Sequence, residues 1–227
     1  MSRIVEIFTG AYASGKSEIS INRALMLKSE DSPVTLVDLD TVEPAYTLRP
    51  LKKELEANGI QIITQESYFG LGETGNVITA QQQNCLKLNN DNIVIDVGYG
   101  AGGLDILNLV TGIEEEENLN IYIVINASKP ETSTVDQIVE YIKWSMGREE
   151  RKWKVFSGII SNTHFSDDTA PEDILKGFEI TRKASEILNL PIRAITVSEK
   201  LYPEFESLIY KGIPIWTLKR FMPKALW

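Results

Sequence analysis

Short runs of isoleucine and valine alternate with longer helical patterns along the whole of this chain, and no other feature constrains its fold as tightly. The runs lie at 4–8, 34–37, 60–63, 93–95, 121–125, 155–160 and 192–197. Near-continuous apolar runs of this length are what strands covered on both faces of a parallel sheet look like. Between them the hydrophobic period lengthens to that of a helix, at 17–28, 44–58, 79–89, 104–118, 132–144 and 171–188. The punctuation agrees: Asn58-Gly59 closes one pattern, Thr169-Ala170-Pro171-Glu172 opens another, and Leu190-Pro191 follows a stop. Such alternation predicts an α/β fold, a three-layer, doubly wound and mostly parallel sheet with helices on both faces. No Pro/Gly/Ser-rich linker divides the 227 residues, so one domain over 1–227 is expected, with a short tail at 216–227.

The first run ends at Thr9 and continues as Gly10-Ala11-Tyr12-Ala13-Ser14-Gly15-Lys16-Ser17, a full match to GxxxxGK[ST]. Glycines allow successive backbone N–H groups to turn inward around a phosphate, and the helix after them adds its partial positive charge. Lys16 is then placed for the β- and γ-phosphates, and the Ser17 hydroxyl for Mg²⁺. A plain strand–helix turn with a solvated lysine is the alternative, and the strand before and helix after favour the phosphate loop. This is the P-loop type of doubly wound sheet.

Two further strand ends carry carboxylates. Asp38 and Asp40 close the second run, two residues apart and therefore on one face. The C-terminal ends of parallel strands line the ligand crevice, so both point toward the phosphate loop. Their mutual repulsion suits a nearby cation; the other reading is a helix cap or turn ahead of Thr41 and Pro44. The fourth run delivers Asp96 directly after a buried strand, the Walker B layout for a carboxylate that holds Mg²⁺ or orients the loop serine. The metal set expected for Mg²⁺ is Ser17, Asp38 and Asp96. Gly100 falls where a backbone N–H can approach the γ-phosphate. Gly98, Gly100 and Gly103 also spell GxGxxG, with Glu114 to Glu117 near the acidic position of an NAD(P)-binding Rossmann unit. The phosphate loop explains the same glycines without a second cofactor.

Composition closes several other routes. One cysteine, Cys85, leaves no disulfide framework and no thiolate metal site. Cys85 sits in a helical pattern among polar residues and reads as an unremarkable thiol. The one histidine, His164, reads as a turn or base-proximal residue before a catalytic one. With 23 basic and 32 acidic side chains the net charge is −9, which disfavours nucleic acid as a partner. No stretch reaches the ~18 apolar residues of a membrane span. The N-terminus is too short in apolar residues for a signal peptide, so a cytoplasmic protein is expected.

Taken together, these residues resemble the SIMIBI class of P-loop proteins, and within it the CobQ/CobB/MinD/ParA nucleotide-binding group. The resemblance covers nearly the whole chain. It rests on Gly10 to Ser17, on Val37-Asp38-Leu39-Asp40, on Asp96-Val97-Gly98-Tyr99-Gly100, which is similar to the group's D-x-x-x-G, and on the run ending at Asn162. It implies that Asp40 positions or activates the attacking water and that Asn162 contacts the base; a strand-end turn role is the other reading of Asn162. The sequence departs from the group in three places. Ala11 occupies the position of the signature lysine that reaches across a MinD/ParA dimer. Phe165 stands three residues after Asn162, where guanine-specific relatives have an aspartate, which favours ATP. Relatives that bridge an iron–sulfur cluster or bind nickel need cysteines that are absent here.

The expected function is therefore binding of Mg²⁺-ATP, with Lys16 and Asp40 as catalytic groups and residues 10–17, Gly100 and Asn162 around the nucleotide. ATP would be hydrolysed as a switch or energy source for a protein partner, and a homodimer is compatible with this. Arg49 or a partner's arginine is a candidate for the charge that Ala11 does not supply. The alternatives are a small-molecule or polynucleotide kinase with Arg148, Arg151 and Lys152 as a lid, a module that binds ATP without turnover, and the Rossmann reading. The glycine-rich stretch Tyr68 to Gly75 is a candidate substrate or partner loop. The basic, aromatic tail either docks on a partner or membrane surface or packs back on its own domain.

Overall fold

A computed structural model describes residues 3–29, 32–41, 48–65, 78–88, 90–147, 155–205 and 207–222. The seven predicted strands are present as β1 (Val5–Gly10), β2 (Val34–Leu39), β3 (Gln61–Ile63), β4 (Asn92–Val97), β5 (Leu119–Ile125), β6 (Gly158–Ser161) and β7 (Ile192–Ser198). Two more, β8 (Ile209–Tyr210) and β9 (Ile213–Leu218), extend the sheet, and β9 takes in the first three residues of the expected tail at 216–227. The order is β3-β2-β4-β1-β5-β6-β7-β9-β8, parallel throughout except for the β8–β9 edge pair.

The helices are α1 (Lys16–Ser29), α2 (Lys52–Ala57), α3 (Ala80–Gln83), α4 (Cys85–Leu88), α5 (Gly100–Asp105), α6 (Val135–Met146) and α7 (Pro171–Leu188). The two longest after α1 have defined starts. Thr134 and Gln137 close a reciprocal capping box on α6. In α7, Pro171 takes the first turn and Asp173 accepts from the Ala170 N–H at 2.9 Å. Asn189, left-handed at φ 49°, ends it. The 104–118 helix is corrected: α5 passes into a 3-10 turn at Ile106–Leu109, and Glu114 to Glu117 lie outside any helix. The 79–89 pattern is two short helices rather than one. Part of 44–58, the stretch Tyr68 to Gly75, the residues Arg148, Arg151 and Lys152, and 223–227 lie outside the described residues.

Neighbouring residues of each strand serve opposite layers. Ile7 packs with Ile95, Leu104, Ile138 and Phe178 on one face, while Phe8 packs with Ile19, Leu27, Leu36 and Leu55 on the other. This period of two, repeated across the central strands, puts α1 and α2 on one side of the sheet and α4 to α7 on the other. Cys85 belongs to the first of these cores, fully buried, and burial pushes its thiol up to about 11; its setting is apolar rather than polar. No helix among the described residues is long and apolar enough to cross a membrane.

The chain runs from β1 two places outward to β2, returns to β4 between them, and then crosses to β5 on the far side of β1. This reversal opens a crevice at the C-terminal ends of β1, β2 and β4, the point where open α/β sheets take ligands. Asp38 lies directly across from Asp96 in the β2–β4 register.

Candidate functional site

The segment between β1 and α1 has an alternating backbone. Ala13 and Gly15 both have positive φ, 55° and 88°, in a stretch where the Ser14 N–H bonds the Ala11 carbonyl at 3.1 Å. Such alternation turns consecutive N–H groups toward one concavity, which is the shape of an anion nest at a helix start. Gly15 is required twice over: its φ is left-handed, and a Cβ there would lie 2.2 Å from Asn162 Nδ2. That amide nitrogen donates to the Ser14 carbonyl at 2.7 Å, and the Asn162 Oδ1 accepts from Thr196 Oγ1. Asn162 at the end of β6 therefore braces the loop from beneath.

Lys16, the first residue of α1, carries its Nζ to 3.3 Å from Asp40 Oδ2, and both side chains are about 5% exposed. Asp96 also feels the Lys16 charge, and Asp38, directly across the strand register from Asp96, completes a group of three neighbouring carboxyls. Burial raises Asp96 to about 8; Lys16 opposes the shift, Asp40 and Asp38 reinforce it, and the Ser17 hydroxyl beside it steadies the charged form. Burial likewise raises Asp38 to about 6, with Arg49 opposing and Asp40 reinforcing. Asp38 is held on both oxygens, by the Asp40 N–H at 3.1 Å and by Thr64 Oγ1 at 3.1 Å. Asp96 accepts a long bond from Ser20 Oγ at 3.4 Å on Oδ1, while its Oδ2 is buried with no partner among the described residues. Three buried carboxyls facing the charges of Lys16 and Arg49, with an orphaned oxygen beside Ser17, form a donor set that suits a hard divalent cation. No group of three or more His, Cys, Asp or Glu among the described residues is arranged as a metal cage. That is compatible with Mg²⁺, which keeps waters and phosphate oxygens among its ligands.

Gly100 opens α5 at φ 68°, and Trp144 of α6 covers it so closely that a Cβ would meet the ring at 2.5 Å. Tyr12, 48% exposed in the loop, and Tyr99 stack edge to face across the mouth at 6.3 Å.

Beside the loop lies a cavity lined by Gly15, Asn162, His164, Thr169, Thr196 and Arg220, among others. The Ser166 N–H donates to His164 Nδ1 at 3.3 Å, which leaves Nε2 to carry the proton. Burial, with Lys129 and Arg220 nearby, lowers this imidazole to about 4, so it is neutral at physiological pH. Asn126, at the end of β5, holds the same loop through the His164 N–H and carbonyl. Lys219 and Arg220 wall the cavity, and residues 219–222 pack back on α1. Asn22 exchanges two 2.8 Å bonds with the Lys219 backbone, and Glu18 accepts from the Phe221 and Met222 N–H groups.

All the loop residues from Gly10 to Ser17, with Asp38, Asp40, Asp96, Gly100 and Asn162, thus meet at one end of the sheet. Thr64, Thr196 and Asn126, which position them, are not singled out by the sequence motifs. Each follows or lies near a strand's C-terminal end, and the rule that points to Asp38 applies to them equally.

No protein-family model and no curated protein sequence matches the chain. Solved structures do. FtsY from Mycoplasma mycoides aligns at a TM-score of 0.57 and 17% identity, over 84% of this chain and 58% of that one. The signal recognition particle receptor FtsY from Elizabethkingia anophelis, in complex with GDP, aligns at 0.55 and 16% identity over 85% and 57%. A nucleotide-binding protein from Archaeoglobus fulgidus, in complex with ADP, aligns at 0.51 and 11% identity over 89% and 84%. The chain spans less than two thirds of the length of either FtsY. At these identities the likeness shows the fold alone: the chain has the mostly parallel, doubly wound α/β fold of the P-loop type.

Proposed function

We propose that this protein binds ATP with Mg²⁺ at the loop from Gly10 to Ser17 and hydrolyses it, as a switch or energy source for a protein partner in the cytoplasm. In this reading residues 1–227 act as one nucleotide-binding domain. The observation that carries it is the buried Lys16–Asp40 pair at the mouth of an anion nest, next to the orphaned oxygen of Asp96. A triphosphate entering the nest competes with Asp40 for Lys16. The exchange gives Lys16 to the phosphate oxygens and releases Asp40, the carboxylate poised there, to orient the attacking water. Ser17, Asp38 and Asp96 would hold the Mg²⁺, which neutralises charge on the β- and γ-phosphates when bound.

The base would occupy the cavity beside Gly15. A guanine is read by a carboxylate facing its N–H edge, and the carboxylate that lines this cavity, Glu18, is engaged by backbone amides, while Asp167 outside it pairs with Arg220 at 2.8 Å and with Lys200. The neutral His164 offers an Nε2–H instead, which suits the acceptor nitrogens of adenine. This supports ATP over GTP.

The test is a calorimetric titration of Mg²⁺-ATP and Mg²⁺-GTP, with phosphate release measured in parallel. Wild type is expected to bind ATP at least tenfold more tightly, Lys16→Ala to lose binding, and Asp40→Ala to bind while turnover falls ~10²–10³-fold. Wild type that binds neither nucleotide, or an Asp40→Ala protein with normal turnover, would overturn the corresponding assignment.

A further inference from the structure

Arg49 opens the 3-10 turn Arg49–Leu51 ahead of α2, fixed in place by Leu48, which is fully buried in the core beneath α1 and α2. Its Nε and Nη1 are buried and have no hydrogen-bond partner among the described residues. The charge on which it acts is that of Asp38, and it favours that group's ionised form against burial. Yet no hydrogen bond joins those two nitrogens to Asp38, whose oxygens accept from Thr64 and from the Asp40 N–H. A guanidinium with two buried, idle donors is costly wherever it serves no ligand. Its planar fork is matched by a group that presents two oxygens together, as a phosphoryl or carboxylate does. Its charge is felt by Asp38 near the end of β2, directly across from Asp96, so a phosphoryl group entering the crevice that these carboxyls line is the ligand that its fork fits.

We propose that Arg49 is a catalytic residue: its guanidinium binds the γ-phosphoryl group and supplies, from the same chain, the positive charge that Ala11 does not. The inference rests on the nucleotide reading above. In the step it serves, the bond from the γ-phosphorus to the β–γ bridging oxygen breaks and its electron pair leaves on ADP. A bond forms from the phosphorus to the oxygen of water, whose proton passes to Asp40 and then to the released phosphate. Charge spread over the three equatorial oxygens is what Arg49 stabilises.

The experiment titrates ADP and ATPγS, each with Mg²⁺, into wild type, Arg49→Ala and Arg49→Lys. It also measures phosphate release at saturating ATP and the thermal unfolding midpoint of each protein without nucleotide. ADP affinity should stay within about twofold, ATPγS affinity should fall about tenfold in Arg49→Ala, and turnover should fall ~10³-fold. Arg49→Lys should recover little, since an ammonium cannot match two oxygens at once. The unfolding midpoint should hold or rise, because a buried cation with idle donors has been removed. Unchanged ATPγS binding and turnover would sink the proposal, as would an equal loss for both nucleotides with a midpoint more than about 5 °C lower, the mark of a structural strut. Wild type that binds neither nucleotide removes the nucleotide reading and this one with it. Wild type that binds without turning over leaves the contrast between ADP and ATPγS to decide.

Discussion

A carboxyl at the centre of a parallel sheet loses its hydration, and the Ser17 hydroxyl, the Lys16 charge and a long bond from Ser20 offset only part of that loss for Asp96. Its proton is therefore held to about pH 8, and that of Asp38 to about pH 6, both far above the ordinary carboxylate range. The folded state binds these protons where the unfolded state has released them, so their contribution to stability is complete below the unfolded value. It is lost as pH rises through about 6 and then about 8. A cation at the site reverses the preference by favouring the ionised form. Binding of Mg²⁺-ATP at pH 7 should thus release close to one proton, mostly from Asp96. Titrations in two buffers of different ionisation enthalpy would read this as a buffer-dependent heat, and Asp96→Asn should abolish most of it. A heat indifferent to buffer would mean that Asp96 is not a ligand of the metal. At this scale the sequence is most informative, because a carboxylate at the end of an apolar run has few other uses. It says less of Asn162, whose partner Ser14 is far away in the chain and whose amide serves the loop backbone.

At the scale of elements, length decides what can be read. The apolar faces of α1, α6 and α7 run for several turns, and the last two carry defined caps, so their patterns are plain. Between 104 and 118 the buried positions include Leu104, Leu107, Val110 and Ile113. A spacing of three serves a 3-10 turn as well as one flank of an α-helix, and the chain takes the tighter course. The β9 strand is hidden for another reason. It contains Pro214, which lacks an N–H and fits only near a sheet edge, where β8 meets it. Of the two readings of the basic tail, packing back on its own domain holds as far as Met222, where the residues after β9 form a strap over α1. Asn22 is central to it, since both its amide oxygen and its amide nitrogen bond the Lys219 backbone. Asn22→Ala should cost ~1–3 kcal/mol in urea unfolding through two unpaired backbone groups. It should also weaken nucleotide binding severalfold, because Lys219 and Arg220 wall the cavity. Lost stability with intact affinity would separate the strap from the site.

For the whole molecule, strand order is the quantity that no local pattern encodes. Seven apolar runs are compatible with many parallel sheets, and the order is settled by which helices can cover which faces without crossing. The order adopted puts β1, β2 and β4 side by side, so that Lys16, Asp40, Asp38 and Asp96 arrive in one crevice from segments far apart in the chain. Every charge the proposed reaction needs then comes from a single copy: Lys16 and Arg49 for the phosphoryl group, the carboxyls for metal and water. On the resemblance read from the sequence, Ala11 stands where the MinD/ParA group has the lysine that reaches into a second copy. A reaction assembled within one chain has a rate per molecule that does not depend on how often two molecules meet. Phosphate release per molecule at saturating Mg²⁺-ATP should therefore stay constant over about a hundredfold range of protein concentration, whereas a rate limited by dimer formation obeys mass action. Sedimentation under the same conditions would show whether the species present changes over that range. A turnover number that climbs as dimers form would place part of the machinery in the second copy, and Arg49 would then have to act across an interface rather than within its own crevice.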